Sequence, residues 1–282
     1  MSIKLESILA ATDLTSGSNR AAERAAMLAR TNGLDKIRVL HVVDEPWLAA
    51  SGDLPAALGA AERELEALRS QLGREPGVNV DTLIVSGSPM SVIREKSRGS
   101  DLLVLGASDR HPLRDLVIGT TAQRLLAKTP ASVLVARNVP RGQYRRVLVA
   151  LDLSEFDDQA IAWARAVAPE AHLDLVHAFD TQFEGKLRYA GVGADVIDQY
   201  RFRSREAALR GVGSVASRVP GPSRPVAVPW PIAAGVVDQA RSSRSDLIVV
   251  GRPGRSWLSN LLMHPVADLV LESAESDVLV VH

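Results

Sequence analysis

The sequence has no cysteine, no net charge, few aromatic residues and no long apolar run. The lack of cysteine excludes disulfides, thiolate catalysis and Cys-ligated zinc, and it suits a reducing compartment. Lys and Arg total 33 and Asp and Glu also total 33, whereas general nucleic-acid binders carry a basic excess. Aromatic residues make up only 4%, too few for surfaces that stack single-stranded nucleic acid.

The apolar runs are all shorter than the roughly 18 residues that a membrane span requires. The first residues, MSIKLES, mix acidic and basic side chains, which is not typical of a signal peptide. Hydrophobic residues nevertheless make up 46% of the chain, enough for a globular core. We therefore expect a cytoplasmic globular protein with no nucleic-acid or membrane partner.

The chain contains an internal repeat. SDLLVLG starts at residue 100 and SDLIVVG at residue 245, an offset of 145 that TPASVLVAR (129–137) and AESDVLVVH (274–282) also keep. Near the start of each copy, Asp13 aligns with Asp152 at an offset of 139. A stretch with Pro, Gly and basic residues separates the copies. We predict two domains, residues 1–140 and 141–282.

Each copy alternates short apolar runs with helical segments. The runs are rich in Val, Ile and Leu, which is typical of parallel strands buried on both faces. Residues 19–33 and 55–73 have helical spacing and end on glycine. This order predicts an α/β fold with two tandem doubly wound domains, each a five-stranded parallel sheet. Residues 181–218 are less regular and predict a loop followed by a long exposed helix with a solvated charged face.

In such sheets ligands bind outside the carboxyl ends of the strands, where the strand order reverses. Asp13 and Asp152 follow the first strand of their copies, and Gly106 and Gly251 close the fourth. A carboxylate at this edge can accept a hydrogen bond from a ribose hydroxyl, or it can cap the following helix. Both interpretations stay open at the level of the sequence.

The segments after the fourth strands carry a more specific resemblance. GASDRHPLRDLVIGTTAQRLL and GRPGRSWLSNLLMHPVADLVL each resemble the corresponding part of a universal stress protein domain, and the whole chain resembles the tandem members. Nucleotide-binding members carry Gly-x-x-Gly, nine residues, and then Gly with Ser or Thr. The glycines let phosphate approach the backbone, and the helix that starts there favours anions. The resemblance implies a fold like that of adenine-nucleotide α-hydrolases, ATP as the candidate cofactor, and a role in stress tolerance.

Neither copy has the full pattern. The first keeps Gly106 and Gly119-Thr120 but has Asp109 at the second glycine, where a carboxylate would repel phosphate. The second has His264-Pro265 in place of the final Gly-Ser/Thr, and proline has no N–H to donate. Transferred by position, the family's site in the first copy is Asp13, Val42, Gly106, Asp109, Gly119, Thr120 and Thr121. In the second copy it is Asp152, Ala178, Gly251, Gly254, His264 and Pro265.

Other catalytic motifs are missing from the sequence. There is no P-loop, no GxGxxG after a strand and no G-x-S-x-G elbow. The six histidines have no metal-ligand spacing, so we expect neither a catalytic nor a metal site. His41 and His177 end matching strands, where a structural role is the first interpretation and a ligand contact the alternative.

The closing strands of the two copies, 132–136 and 277–281, are strongly apolar, and exposed apolar edges are normally covered. The resemblance implies that they pair with each other and form an internal pseudo-dimer. A homodimer of whole chains and the protein partners are left open. Three functions follow: a regulatory stress protein with degenerate ATP sites, an enzyme for slow ATP hydrolysis or adenylyl transfer, or a ligand-free interaction scaffold.

Overall fold

The computed structural model describes residues 3–44, 54–74, 77–107, 125, 129–179, 181, 183–251 and 266–282. The chain divides into two compact units. The N-terminal unit combines Lys4–Gln143 with Asp277–His282, and the C-terminal unit is formed mainly by Tyr144–Ser276. The last strand of the second repeat thus belongs to the N-terminal unit. The domain boundary after residue 140 stays a prediction.

The described part of the first repeat has five strands, three α-helices and a 3₁₀ turn at Ser97–Gly99. In chain order the strands and α-helices are β1 (Ile8–Thr12), α1 (Ser16–Asn32), β2 (Lys36–Val43), α2 (Leu54–Leu72), β3 (Asn79–Ser86), α3 (Pro89–Lys96), β4 (Leu102–Gly106) and β5 (Ser132–Ala136).

The second repeat also has five strands, which confirms the predicted strand count. Its elements are β6 (Arg146–Leu151), α4 (Asp157–Val167), β7 (His172–Phe179), α5 (Glu184–Tyr189), α6 (Ala194–Ala216), β8 (Ser223–Pro229), α7 (Ile232–Ser243), β9 (Leu247–Gly251), α8 (Val266–Ser273) and β10 (Asp277–Val281). None of the helices in the described ranges is long and apolar enough to cross a membrane.

The strand order confirms the doubly wound α/β fold. The N-terminal unit has the order β3-β2-β1-β4-β5-β10, and its first five strands are parallel. The C-terminal unit has the parallel order β9-β6-β7-β8. All residues of β1 and β5 are buried, as their apolar composition predicts.

The two closing strands pair with each other, as predicted. β10 runs antiparallel to β5, and Leu279 lies opposite Leu134 in the centre of the register. Every residue of both strands is buried. The pairing therefore covers the apolar edge that β5 would otherwise expose.

Helix α1 shows how the sequence sets the ends and the buried face of a helix. Thr15 caps its N-terminus by accepting a hydrogen bond from the Ser18 N–H, and Gly33 ends it with a φ of 66°. Its buried face carries alanines at helical spacing, including Ala22, Ala25 and Ala29. Small side chains on this face let the helix backbone approach the sheet closely.

The repeated Ser-Asp-Leu sequence has a structural role in both units. One carboxylate oxygen of Asp101 accepts hydrogen bonds from the backbone N–H groups of Glu6 and Ser7 at 2.9 and 2.8 Å. Asp246 does the same for Arg145 and Arg146 at 2.7 and 3.0 Å. Each aspartate therefore anchors the start of the neighbouring strand, β1 or β6, to the start of its own.

Residues 181–218 contain the predicted long, largely exposed helix, α6, but the segment before it is more than a loop. They contain the short helix α5 before α6, and one face of α6 is buried through residues that include Ile197 and Val212. The contact between α5 and α6 is partly ionic, because Glu184 of α5 accepts a hydrogen bond from Arg201 of α6 as well as one from Arg188 in its own helix. Sequence analysis did not predict this arrangement, because the helical pattern is interrupted and does not indicate the contacts between the two helices.

Candidate functional site

The strand order reverses at β1 and at β6. β1 lies between β2 and β4, and β6 lies between β7 and β9. Asp13 and Gly106 lie at the carboxyl ends of β1 and β4, and Asp152 and Gly251 lie at those of β6 and β9. Each repeat therefore has a carboxylate and a glycine at its topological switch point, where this fold class binds ligands.

Asp13 braces the loop between β1 and α1. Its Oδ1 atom accepts hydrogen bonds from the hydroxyls of Thr15 and Ser18, both at 2.6 Å, and from the Thr15 N–H at 3.1 Å. The N-cap itself is Thr15. The interpretation of Asp13 as the cap is therefore wrong, although the carboxylate fixes the side chain that does cap the helix.

Asp152 lies in a different environment. Its Oδ1 accepts a hydrogen bond from the Ser154 N–H at 3.1 Å. Helix α4 begins after Phe156, which makes no side-chain capping bond, so the capping interpretation is wrong here too. The Asp152 N–H donates to Oδ1 of Asp157 at 3.2 Å.

Asp157 is a buried acid that the sequence analysis missed. It is 5% exposed, and its Oδ2 finds no hydrogen-bond partner among the described residues. Burial raises the pKa of the Asp157 carboxyl to about 6; the hydrogen bond from the Asp152 N–H opposes the rise, and the Asp152 carboxylate adds to it. A comparison of the two copies could have identified Asp157, because the matching residue in the first copy is the uncharged Ser18.

Gly106 and Gly251 are equivalent in sequence but differ in their surroundings. A Cβ atom on Gly106 would lie 2.4 Å from Cα of Ser18 and 2.6 Å from the carbonyl oxygen of Gly17. A Cβ atom on Gly251 would meet none of the described residues within 4 Å. The first glycine therefore allows α1 to approach β4, whereas no described residue packs against the second at the edge of the sheet.

This difference predicts opposite outcomes for the same substitution. Gly106→Ala would force the backbone of α1 away from β4, and we expect a loss of about 1–3 kcal/mol in the free energy of unfolding. Gly251→Ala should change that energy by less than about 0.5 kcal/mol. Urea unfolding of the two variants, followed by circular dichroism, tests this. Equal losses in both would contradict the packing role of Gly106.

His41 and His177 lie at the same edge. Nδ1 of His41 is 2.9 Å from the carbonyl oxygen of Thr12, and Nδ1 of His177 is 2.9 Å from that of Leu151. The structural role predicted for these rings is thus confirmed on the Nδ1 side. Val42 and Ala178 directly follow the two histidines, so the strand register places them beside Asp13 and Asp152.

The remaining predicted site residues lie outside the described residues. They are Asp109, Gly119, Thr120, Thr121, Gly254, His264 and Pro265. The segments predicted to contact phosphate therefore stay predictions. Within the described ranges, no group of three or more His, Asp or Glu side chains could hold a metal ion.

Comparison with known proteins identifies relatives along the whole chain. The model of the universal stress protein family matches residues 4–137 and again residues 143–282. A universal stress protein of Mycobacterium tuberculosis (strain ATCC 25618 / H37Rv) is 26% identical over 216 residues, covering 75% of this chain and 72% of that protein. A universal stress protein of Mycobacterium bovis has the same identity and coverage.

Solved structures show the same fold. The crystal structure of a universal stress protein from Archaeoglobus fulgidus DSM 4304 has a TM-score of 0.72 at 16% identity, covering 99% of this chain and 98% of that one. A protein of unknown function from Pseudomonas aeruginosa PAO1 has a TM-score of 0.64 at 20% identity, with 98% and 92% coverage. At these identities the likeness supports the architecture alone.

Proposed function

Since this chain belongs to the universal stress protein family and contains two of its domains, we propose that it is a regulatory stress-response protein that binds an adenine nucleotide. The proposed ligand is ATP or AMP, and the proposed site is the carboxyl edge of the sheet in the second repeat; the matching edge in the first repeat is the weaker candidate. We propose a regulatory role for the nucleotide rather than its turnover. The absence of cysteine suits a cytoplasmic location.

The observation that carries this proposal is the open space at Gly251. This glycine ends β9 beside β6, so it lies next to Asp152 at the switch point. Gly251 is exposed, and no atom of the described residues lies within 4 Å of a Cβ placed there, so a ligand can approach the backbone closely. Asp152 is exposed and can accept hydrogen bonds from ribose hydroxyls. The second repeat is therefore the stronger candidate for nucleotide binding.

A second candidate, the ligand-free scaffold, is favoured by the first repeat. The start of α1 occupies the space beside Gly106, and Asp13 already accepts three hydrogen bonds from its own loop. Both features have a sufficient structural explanation without a ligand. A protein with one working site, in the second repeat, would reconcile the two candidates.

Calorimetric titration with Mg-ATP and with AMP tests the proposal. We expect one binding event that Gly251→Val abolishes, because the added side chain would occupy the open space. At 100 times the dissociation constant, ATP should stabilise the fold by about 2.7 kcal/mol, which a thermal shift would detect. Gly106 is unsuitable for this test, since its substitution disturbs α1.

Two further outcomes separate the alternatives. The protein would be an enzyme if it released ADP or phosphate, or transferred an adenylyl group, and if Gly251→Val abolished that activity. No heat and no thermal shift at millimolar nucleotide would establish the ligand-free scaffold and overturn the proposal.

A further inference from the structure

A histidine on the second strand of each repeat bonds back to the end of the first strand. His41 lies in β2 opposite Thr12, and His177 lies in β7 opposite Leu151, the last residues of β1 and β6. In both cases Nδ1 lies 2.9 Å from the main-chain oxygen of that residue. The contact uses the backbone, so it is the same although Thr12 and Leu151 differ chemically.

This contact fixes the protonation of the neutral ring. A carbonyl oxygen only accepts hydrogen bonds, so Nδ1 must carry the proton and donate it. Nε2 is then the bare nitrogen and can only accept. The two histidines therefore present a hydrogen-bond acceptor of fixed position, which an Asn or Gln side chain, free to rotate its amide, would not.

Nε2 has no partner among the described residues in either repeat, and both rings are partly exposed. The residues that follow Thr12 and Leu151 are Asp13 and Asp152, whose carboxylates also accept hydrogen bonds. The edge of each sheet thus offers acceptors from two side chains. A ligand that fits here must supply donors, such as the exocyclic amine of a base or the hydroxyls of a ribose.

We propose that His177 determines ligand specificity at the site of the second repeat, with Nε2 accepting a hydrogen bond from a donor group of the bound nucleoside; His41 has the same arrangement in the first repeat. This inference rests on the proposed nucleotide binding and adds the group that selects the ligand. The hydrogen bond to the strand carbonyl contributes to this specificity, because it prevents the ring from rotating and keeps Nε2 an acceptor in the neutral form.

Asn variants distinguish the role of Nδ1 from that of Nε2. In His177→Asn the side-chain amide can still donate to the Leu151 carbonyl, because it occupies the position of Nδ1, but nothing replaces Nε2. We expect His41→Asn/His177→Asn to bind ATP about 5- to 10-fold more weakly than the wild type, the loss of one ligand hydrogen bond. Its melting temperature should stay within about 2 °C of the wild type. His172→Asn, at the start of β7, is the control that should bind normally.

Nucleotide analogues identify the donor. If the donor is the base amine, inosine triphosphate should bind the wild type as weakly as the Asn variant binds ATP, and the variant should not distinguish the two nucleotides. If the donor is a ribose hydroxyl, a 2′- or 3′-deoxy analogue of ATP should show this pattern instead. An Asn variant that keeps the wild-type affinity and discrimination overturns the inference alone. A wild-type protein that binds none of these nucleotides overturns the proposed function, and the inference with it.

Discussion

Asp277→Ala is expected to destabilise the protein by about 3–5 kcal/mol, because it leaves buried guanidinium groups without their counter-charge. The Asp277 side chain is only 1% exposed and that of Arg24 only 6%, and the Arg24 Nε lies 3.3 Å from Asp277 Oδ2. The other oxygen, Oδ1, accepts hydrogen bonds from the backbone N–H groups of Arg137 and Asn138 at 2.8 and 3.1 Å. One carboxylate thus joins α1, the end of β5 and the start of β10.

Arg137 adds to the expected loss. Its side chain is among the largest that are fully buried, and burial lowers the pKa of its guanidinium to about 10, while the charge of Asp277 opposes this fall. Removing Asp277 takes away that opposing charge from two buried arginines at once. The cost therefore exceeds that of breaking an ordinary ion pair.

Urea unfolding measured by circular dichroism checks this prediction. Asp277→Asn keeps an acceptor for the two backbone N–H groups and removes only the charge, so it should lose less than the alanine variant. Asp81→Asn is the matched control, because the Arg38–Asp81 pair has a similar length of 3.1 Å but is about half exposed. Such surface pairs contribute about 0–1 kcal/mol.

Amide hydrogen exchange adds a local measurement to the global one. The amides of β5 and β10 should lose protection in Asp277→Ala before those of β2 and β3, since the carboxylate anchors β10 to the N-terminal unit. A loss below about 1 kcal/mol for Asp277→Ala, or uniform exchange across the sheet, would contradict the anchoring role.

The sequence predicted features that depend on local pattern. The apolar runs and the repeat predicted five strands in each copy, the glycine at 33 predicted the end of α1, and the two closing strands were correctly expected to pair. The strands and the helix end follow from composition over a few residues. The pairing was implied by the family resemblance, and it covers an apolar edge. The positions of Asp13, Gly106, Asp152 and Gly251 at the switch points follow from the strand order.

Features that depend on three-dimensional contacts were not predictable. Arg24, Arg137 and Asp277 are far apart along the chain, and an aspartate at the start of a closing strand resembles any turn residue. The two strand-end glycines look equivalent in sequence, yet among the described residues a helix backbone lies against Gly106 and not against Gly251. The contact comes from the backbone of Gly17 and Ser18, and the matching residues in the second repeat are Phe156 and Asp157.

Asp157→Asn should stabilise the protein at neutral pH, which is unusual for a substitution at a buried position. The folded-state pKa of about 6 lies above the ordinary value of 3.8, so the folded protein holds this proton more tightly than the unfolded chain does. The stability that Asp157 contributes is therefore fully present below pH 3.8 and is lost as the pH rises through 6. Above that pH the buried charge costs roughly 2–3 kcal/mol.

Asparagine removes this cost while keeping the local hydrogen bonds. Its carbonyl oxygen can accept from the Asp152 N–H, as Oδ1 of Asp157 does at 3.2 Å. Its amide N–H can donate toward the neighbouring Asp152 carboxylate, where two carboxylates now repel each other. Asp157→Ser is a second variant with a precedent in this chain, because Ser18 holds the matching position and accepts from the Asp13 N–H at 3.1 Å.

Urea unfolding between pH 4 and pH 8 measures the effect. The difference in unfolding free energy between Asp157→Asn and the wild type should be small at pH 4, grow from about pH 4 to pH 6, and level off at roughly 2–3 kcal/mol in favour of the variant. Asp158→Asn removes the same charge from the next residue, which is exposed, and should show no such trend. A wild type more stable than Asp157→Asn at pH 8 would contradict the raised pKa. It would mean that the ionised Asp157 has a favourable partner at the edge of this site.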